Sequence, residues 1–381
     1  MLRKFFYYGC SALLNRVFGL LPLKEDRVLF LSDVRCSLSG NFEPVSELIA
    51  EDYEIRTSLK EDRRIRHSLK EYLQQCFWLA TSKYVLLDDY AAVTAYMHVR
   101  KGQELVQLWH GSGAFKRFGF SRNGDISRVH PGYRRYTKAI VSSEAVRPCY
   151  AEAFSIPMER VIASGNPRTD VFFDEDHKAA KRREILAAYP TLERKKVILF
   201  APTYRGARVE DADYDFGKLD PERLREALGD DYVLLVKWHP ALYENLKRGK
   251  VKGWDTEKYG DFVIDVSEER EVNDFLFAAD LLITDYSSVI FEWALLDRPI
   301  VYFVYDLEEY DGGRGLFFPF KDYVYGEMAR NMEELIRAVQ SAETDEEKRR
   351  KFIDRFVSAN DGHAAEKTVK AVFGKSLQGK V

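Results

Sequence analysis

The sequence predicts an α/β protein with two Rossmann-like domains that face a cleft, and three observations support this fold class. The chain has 381 residues, which is long for a single domain. Short apolar runs alternate with stretches of helical periodicity, a pattern typical of βαβ units with a parallel sheet. This alternation occurs twice, and a charged segment at residues 174–196 separates the two series.

An apolar segment at residues 5–23 precedes the first predicted strand. Asn15 and Arg16 interrupt it, so it is too broken for a membrane-spanning helix, which needs about 20 mostly apolar residues. No small-residue cleavage site follows it, which argues against a signal peptide. We therefore expect residues 1–24 to form an amphipathic helix in the membrane interface. The alternative is a helix that packs on the protein's own core.

The two series of strands define the predicted domains. Residues 25–174 should form an N-terminal Rossmann-like domain, with strands at 28–31, 84–87, 105–109, 139–141 and 161–163. Residues 175–381 should form a C-terminal domain, with strands at 197–201, 232–237, 262–264, 281–284 and 300–304. Helices are expected at 179–188, where Pro190 provides the stop, at 221–228, at 289–296 and within the charged tail at 331–373.

The composition excludes several classes of protein. The formal net charge of −3 gives no general attraction to nucleic acid. The four cysteines are scattered, which indicates neither a disulfide framework nor a zinc site. The sequence has no P-loop, no glycine-rich dinucleotide motif after its first strand, no H-E-x-x-H and no G-x-S-x-G. It therefore does not read as a P-loop NTPase, a dinucleotide-binding enzyme, a metalloprotease or a common hydrolase.

The first series places one candidate catalytic group after a strand. Ligands of doubly wound sheets bind beyond the carboxyl ends of the strands. His110 follows a predicted strand there and precedes a glycine-rich turn. An imidazole titrates near neutral pH and suits a general base. An incidental histidine in a turn is the alternative. A second turn, at residues 165–170, is either structural or a ligand contact.

The second series offers several groups that could bind an anion. Thr203 and Arg205 follow its first strand and supply a hydroxyl and a guanidinium, which suit phosphate oxygens. Lys237 and His239 follow the next strand, so His239 occupies the same kind of position as His110. A surface arginine, a solvated lysine and a core histidine are the alternatives.

Further along, a hydroxyl pair precedes a predicted helix. Ser287 and Ser288 lie where free amides at a helix N-terminus would bind an anion, and ordinary N-capping is the alternative. Glu292 lies one turn into that helix and could bond a ribose. Arg314 is surrounded by glycines, so we expect it on a mobile loop that clamps a phosphate. A flexible surface loop without a ligand is the alternative for Arg314.

In this order, these segments resemble the motifs of the CDP-glycerol glycerophosphotransferase family of teichoic-acid synthesis. The matching residues are Trp109-His110, Gly113, Lys116, Phe118-Gly119, Gly165-Asn166-Pro167, Ala201 to Arg205, Lys237 to Pro240, Asp285 to Ser288, Arg314-Gly315 and Asp361-Gly362. The chain departs from the family at Trp238, where many members carry Leu, and in the turn after His110, where many carry Thr-Pro. That turn and the lack of an extra N-terminal domain favour the primase branch.

The resemblance implies a GT-B-like fold with an acceptor domain at residues 25–174 and a CDP-alditol-binding domain at 175–381. It implies transfer of glycerol phosphate from CDP-glycerol to an undecaprenyl-diphosphate disaccharide, with release of CMP. A primase is favoured over a glycerol- or ribitol-phosphate polymerase. His110 and His239 would be catalytic. The expected donor-binding residues are Thr203, Arg205, Lys237, Asp285, Ser287, Ser288, Glu292 and Arg314.

A basic and aromatic stretch follows His110. It contains Lys116, Arg117, Arg122, Arg128, Arg134, Arg135 and Lys138, and Phe115, Phe118 and Phe120 interleave with it. Such a stretch suits an acceptor at an anionic membrane surface, at about 1 kcal/mol per cation. A solvated charged face is the alternative. We therefore expect a peripheral enzyme at the cytoplasmic face of the bacterial membrane.

Cofactors and alternative functions complete the expectations. The sequence offers no evident metal cage, so no cofactor should be required, although Mg²⁺ is left open. A homo-oligomer is also left open. A nucleotide-sugar glycosyltransferase of the same fold and a non-catalytic scaffold at the membrane surface are the alternative functions.

Overall fold

The computed structural model describes residues 2–60, 65, 67–123, 126–127, 129–206, 209–269 and 271–374, with side chains from Tyr8 onward. The chain divides into two compact units. The first contains the residues up to Phe173 and those from Arg355 on, and the second runs from Asp174 to Asp354. Both are α/β units, as the alternating pattern predicts. The expected cleft between two domains stays a prediction.

The first unit is built on a parallel sheet of six strands. They are β1 (Lys24–Ser32), β2 (Glu54–Leu59), β3 (Ser82–Leu87), β4 (Glu104–Gln107), β5 (Lys138–Ile140) and β6 (Val161–Ile162). Their order is β2-β1-β3-β4-β5-β6. Because the order reverses between β1 and β3, the loops after these strands border the topological switch point, where ligands of such sheets bind.

Four helices of the first unit precede its last strand. They are α1 (Leu2–Phe18), α2 (Phe42–Ile49), α3 (Leu69–Thr81) and α4 (Arg147–Phe154). A capping box begins α3, because the Ser68 hydroxyl accepts from the amide of Glu71 and the Glu71 carboxylate accepts from the amide of Ser68. On the sheet, Phe42 of α2 contacts Phe30 of β1 with ring centroids 5.1 Å apart.

Helix α1 packs on the first unit with one face, as the alternative reading expected. Ser11 hydrogen-bonds the hydroxyl of Tyr72 on α3 at 2.6 Å. The Asn15 side chain accepts from the amide of His98 at 2.8 Å. The buried face of α1 is therefore partly polar, since both Ser11 and Asn15 are buried. The opposite face exposes Leu13 and Val17. Arg16 is exposed as well, and Phe18 packs on Phe77 with ring centroids 5.6 Å apart, so the exposed and the packed residues of α1 both include polar and apolar side chains.

The second unit is built on another parallel sheet of six strands. They are β7 (Lys196–Phe200), β8 (Tyr232–Val236), β9 (Val263–Asp265), β10 (Leu281–Thr284), β11 (Ile300–Phe303) and β12 (Glu327–Ala329). Their order, β12-β11-β10-β7-β8-β9, is that of a doubly wound dinucleotide-type sheet read from the other edge. The switch point lies between β7 and β10.

The described helices of the second unit are α5 (Glu175–Ala188), α6 (Pro221–Leu228), α7 (Pro240–Lys247), α8 (Val272–Ala278), α9 (Val289–Trp293), α10 (Leu307–Arg314), α11 (Met332–Gln340) and α12 (Glu346–Phe356). The predicted helical segments overlap α5, α6, α9, α11 and α12, whereas α7 and α8 were not predicted. Two expectations were wrong. Helix α9 is five residues long rather than eight. The glycines before Arg314 do not form a loop, because they lie inside α10.

The last helix, α13 (Ala364–Phe373), belongs to the first unit. Val369, Val372 and Phe373 are buried in the same core as Val28 and Leu86 of the first sheet. The prediction of one C-terminal domain over residues 175–381 therefore needs correction at its end. Hydrophobic periodicity identifies the helix, but it does not say which sheet its apolar face covers.

Candidate active site

His110 lies just beyond β4, after a residue with strained backbone. Trp109 has a φ of +53°, a conformation that costs a non-glycine residue about 1 kcal/mol or more. Its amide donates to Oε1 of Gln107 at 2.8 Å, and the Asn41 side chain donates to its carbonyl. Its ring stacks on His110 with centroids 4.6 Å apart. The fold therefore maintains this strain directly beside the imidazole.

The imidazole of His110 has different surroundings at its two nitrogens. Nδ1 lies 3.2 Å from the carbonyl oxygen of Asp88 and 3.7 Å from Oδ2 of Asp89. Only a protonated Nδ1 can donate to a carbonyl, so the neutral ring carries its proton there. Nε2 makes no hydrogen bond with the described residues, and the side chain is 46% exposed. The ring is therefore arranged to accept a proton at Nε2.

Buried carboxylates line the switch point of the first sheet, and the sequence analysis missed them. Asp33 follows β1, whereas Asp88 and Asp89 follow β3. Burial raises the pKa of Asp88. Arg35, which forms an ion pair with Asp88, opposes this rise, and the neighbouring carboxylate of Asp89 adds to it. Lys60 pairs with Asp33 at 3.0 Å. The rule that selected His110, a polar group at a strand's carboxyl end, would also have found these aspartates.

The turn at residues 165–170 has a structural role. Gly165 has a φ of +89°, and a Cβ there would lie 2.4 Å from the carbonyl oxygen of Ala359. The Asp170 carboxylate accepts from the amides of Ala364 and Ala365, both at 2.8 Å, at the start of α13. The amide of Arg168 donates to Asn41, which also holds the Trp109 carbonyl. This turn therefore connects α13 to the segment that carries His110.

In the second unit, Arg205 is the centre of an ionic network at the switch point. Its guanidinium donates to Asp306 at 2.5 and 2.9 Å and to Asp285 at 2.9 Å. Four aromatic rings lie 5.2–5.8 Å from the guanidinium carbon: Tyr214, Tyr286, Tyr305 and Tyr310. Burial works against the charge, but Asp285 and Asp306 outweigh it and raise the pKa of Arg205 further.

This network connects the ends of three strands. The other oxygen of Asp285 accepts from the amide of Thr203 at 2.8 Å, so Asp285 joins the loop after β7 to the loop after β10. Asp306 follows β11 and adds the third loop. Arg205 and Asp285 thus bond each other, and their expected role as direct donor contacts stays a prediction.

The hydroxyl pair follows this network directly. Ser287 and Ser288 are half-buried, and their hydroxyls make no hydrogen bond with the described residues. Ser288 precedes α9 without capping it, so the N-capping alternative is not what the structure shows. Because α9 has only five residues, its helix dipole contributes little to anion binding. The two hydroxyls are therefore the groups here that could donate to an anion. Glu292 is fully buried within α9.

Lys237 and His239 lie just beyond β8. Burial lowers the pKa of Lys237 to about 8, and Asp265, Glu271 and Glu269 offset part of this effect. His239 is exposed, and its Nδ1 accepts from the amide of Ala241 at 3.1 Å, at the start of α7. Its neutral ring therefore carries the proton on Nε2, which is the opposite arrangement to that of His110.

Arg314 is the last residue of α10 and is half-buried. Its Nε is buried and has no hydrogen-bond partner among the described residues. The helix ends after it, because Gly315 has a φ of +83°. A guanidinium with an unused buried donor is a good candidate for an anion contact, although it is carried by a helix rather than by the expected loop.

The order of the motifs and the geometry of the site agree with what comparison of this chain with known proteins shows. The family described as CDP-Glycerol:Poly(glycerophosphate) glycerophosphotransferase matches residues 13–374. The chain belongs to this family. The resemblance inferred from the motifs is thereby confirmed, and the chain is a transferase-family member related to teichoic-acid enzymes.

Individual relatives of this chain carry names from teichoic-acid synthesis. A teichoic acid poly(ribitol-phosphate) polymerase of Bacillus spizizenii is 40% identical over 362 residues, which are 93% of this chain and 57% of the polymerase. A teichoic acid ribitol-phosphate primase of the same species is 34% identical, over 92% of this chain and 91% of the primase. The chain thus spans little more than half of the polymerase.

A solved structure shows the same fold as this chain. The wall teichoic acid polymerase TagF is 22% identical, with a TM-score of 0.74, over 98% of this chain and 97% of the TagF chain. The two parallel six-stranded sheets thus belong to a known GT-B-like α/β arrangement.

The basic stretch of this chain is only partly exposed, and one of its members, Arg128, lies outside the described residues. Arg117 pairs with Glu152 at 2.9 Å, and the Nε of Arg135 donates to the carbonyl of Ala95 at 3.0 Å. Arg134 is exposed and lies over the ring of Phe120, at 4.2 Å. Lys116 and Arg122 are half-buried, Phe115 is buried and Phe118 stacks on Trp109. The aromatic residues thus pack inward more than the interleaved sequence suggests.

Metal and membrane features were sought over the described residues. No three carboxylate, imidazole or thiol side chains there come together as a metal site would require. No helix within the same residues is long and apolar enough to cross a bilayer. The metal requirement of this chain stays a prediction.

Proposed function

We propose that this chain transfers an alditol phosphate from a CDP-alditol to a hydroxyl group of a lipid-linked acceptor in teichoic-acid synthesis. Membership of the glycerophosphotransferase family supports the reaction class. The acceptor that the resemblance implies is an undecaprenyl-diphosphate disaccharide.

In the proposed reaction the acceptor hydroxyl attacks the phosphorus that bears the alditol. A new P–O bond forms, the bond to the bridging oxygen of CMP breaks, and CMP leaves. The hydroxyl proton passes to Nε2 of His110. His239 donates its Nε2 proton as a hydrogen bond to the developing charge on the leaving phosphate, an electrostatic role that phosphoryl transfer requires.

The observation that carries this proposal is the opposite arrangement of the two histidines. His110 bonds through Nδ1 as a donor, which leaves Nε2 as a base. His239 bonds through Nδ1 as an acceptor, so its neutral ring carries the donor proton on Nε2. A proton acceptor and a hydrogen-bond donor are the two groups that attack and departure need.

The donor is assigned to the second unit. Ser287, Ser288 and Lys237 would contact the diphosphate, and Arg314 would add a guanidinium. Thr203 and Glu292 are the remaining polar candidates, for a phosphate and the ribose. Arg205 and Asp285 would act indirectly, because their network fixes the loop that ends in the hydroxyl pair.

The identity of the alditol is part of the proposal. The sequence motifs favoured glycerol phosphate and a primase. The relatives that are 40% and 34% identical both act on ribitol phosphate by name, one as a polymerase and one as a primase. We therefore propose CDP-ribitol rather than CDP-glycerol as the preferred donor. We propose a single addition rather than polymerisation because of the turn after His110.

One assay tests these assignments. The protein is incubated with CDP-ribitol or CDP-glycerol and a lipid-linked disaccharide, and product masses are read. We expect one alditol phosphate to be added, and His110→Ala to lower the rate by about 10²–10⁴-fold. His363→Ala, on the exposed start of α13, is the matched control and should transfer normally. Transfer from a UDP- or GDP-sugar instead would favour the glycosyltransferase, and no turnover by the intact protein would contradict the proposal.

We also propose that α1 binds the cytoplasmic face of the membrane. Its exposed apolar residues support this, because Leu13 and Val17 face solvent. Leu20, just after the helix, is 87% exposed. Exposed apolar side chains on one face suit the interface between headgroups and acyl chains.

A further inference from the structure

Asp89 directs one carboxylate oxygen at the proposed base. Its Oδ1 accepts from the amide of Tyr90 at 2.6 Å. Its Oδ2 lies 3.7 Å from Nδ1 of His110, and the side chain is largely buried. The backbone bond thus fixes the rotation of the carboxylate, which leaves the second oxygen beside the imidazole.

A buried glutamine fixes the distance between these two residues. The Nε2 of Gln107 donates to the carbonyl of Asp89 at 3.1 Å and to the hydroxyl of Tyr136 at 2.9 Å. Its Oε1 accepts from the amide of Trp109, the residue before His110, at 2.8 Å. All the hydrogen atoms of this amide group are engaged, so one side chain holds both backbone segments.

The separation of 3.7 Å decides how Asp89 can act. It is too long for a hydrogen bond, and the Asp88 carbonyl at 3.2 Å is the acceptor of the Nδ1 proton. It is shorter than the limit of about 4–6 Å within which an opposite charge favours the charged form of a group. The charge of the neighbouring Asp88 is compensated by its ion pair with Arg35.

We propose that Asp89 is a positioning residue for His110, and that its carboxylate stabilises the imidazolium formed when Nε2 takes the acceptor proton. The Asp88 carbonyl holds the ring orientation and Asp89 supplies the charge. This inference rests on the proposed role of His110 as the base. No proton passes to Asp89 in this step.

Two substitutions separate charge from shape. Asp89→Asn keeps the size of the side chain and an oxygen that can accept from the Tyr90 amide, but it loses the charge. Asp89→Glu keeps the charge. We expect Asp89→Asn to lower kcat by about 10²-fold, the lower end of the range for a general base, with KM for the CDP-alditol within about twofold. Asp89→Glu should retain more activity than Asp89→Asn, and Asp26→Asn, an exposed aspartate of the same unit, should behave as wild type.

A second readout needs no substrate. Diethyl pyrocarbonate acylates the unprotonated nitrogen of a histidine, and mass spectrometry gives the rate at each site. The reaction is run at a pH well above the usual imidazole range, so that the ring is unprotonated in both proteins. The positive charge that develops on His110 during acylation should then form less readily in Asp89→Asn, so its acylation should be slower by about threefold or more. His363 serves as the internal reference, and its rate should be unchanged.

The two readouts separate the possible failures. Equal acylation of His110 in wild type and Asp89→Asn, or wild-type kcat in a folded Asp89→Asn protein, would overturn the inference. Full activity of Asp89→Asn with loss in Asp89→Glu would mean that shape rather than charge matters, and would overturn it too. Slower acylation in Asp89→Asn, together with no alditol transfer by wild type, would support the role of Asp89 while contradicting the proposed function.

Discussion

Lys237 should make donor binding depend on pH. Its pKa is lowered to about 8 by burial, which Asp265, Glu271 and Glu269 only partly offset. If its ammonium contacts the donor phosphates, affinity for a CDP-alditol is full below pH 8. It should fall as the pH rises above that value, because the free protein then holds a neutral amine. Titration calorimetry on either side of pH 8 measures this.

A charge-free variant gives the control for Lys237. Lys237→Met should bind the CDP-alditol more weakly at low pH, and its affinity should change less across pH 8. Lys218→Met, which removes an exposed lysine from the same unit, should reproduce the wild-type curve. If the affinity for the CDP-alditol changes neither with pH nor in Lys237→Met, Lys237 does not contact the donor.

Single residues were predictable when their position in the chain was sufficient evidence. His110 and His239 are visible because each directly follows a strongly apolar strand. The partner of Nδ1 in each case is a backbone group, either a carbonyl 22 residues away or an amide two residues away. Sequence patterns do not show such partners. The ion pairs of Arg205 likewise depend on residues 80 and 101 positions away.

At the level of elements, Ser288 precedes the short helix α9 and Arg314 ends helix α10, and each offers a different group to the donor. Ser288 offers a hydroxyl that does not cap its helix, and Arg314 offers a buried Nε without a partner. Ser288→Ala and Arg314→Ala should each weaken binding of the CDP-alditol, by about 1.5–3 kcal/mol for a hydrogen bond to a charged group. Calorimetry measures the change. Ser341→Ala, at the exposed end of α11, is the control, and unchanged affinity in both site variants would move the donor elsewhere.

The strands that the sequence did not reveal, β2 and β12, lie at sheet edges. β2 reads Glu-Ile-Arg-Thr-Ser-Leu, with four polar residues, and β12 has only three residues. Central strands of a parallel sheet are covered on both faces and form apolar runs, whereas an edge strand keeps solvent contact. The missed strands therefore have the residue types that their positions require.

At the level of the whole molecule, the exposed apolar residues of α1 determine the expected membrane behaviour. Leu13→Glu together with Val17→Glu should reduce co-sedimentation with anionic liposomes by about tenfold or more, because each buried leucine or valine contributes about 1.5–3 kcal/mol. Binding that remains should decline with salt, since the Debye length falls from ~10 Å at 0.1 M to ~3 Å at 1 M.

A matched substitution tests whether the effect belongs to α1. Met158→Glu places the same charge on another exposed apolar residue of the first unit and should leave liposome binding unchanged. If the intact protein ignores anionic vesicles at low salt, α1 is only a packing helix.

The return of α13 to the first sheet has a consequence for synthesis of the chain. A ribosome delivers the first unit's strands early, but Val369, Val372 and Phe373 come some 200 residues after β6. The second unit lies between these segments in sequence, so it can fold while the first core still lacks part of its apolar cover. Domains generally fold in the order in which they emerge. Here the unit that begins first is completed last, and the nascent protein has to keep an open apolar surface until α13 leaves the exit tunnel.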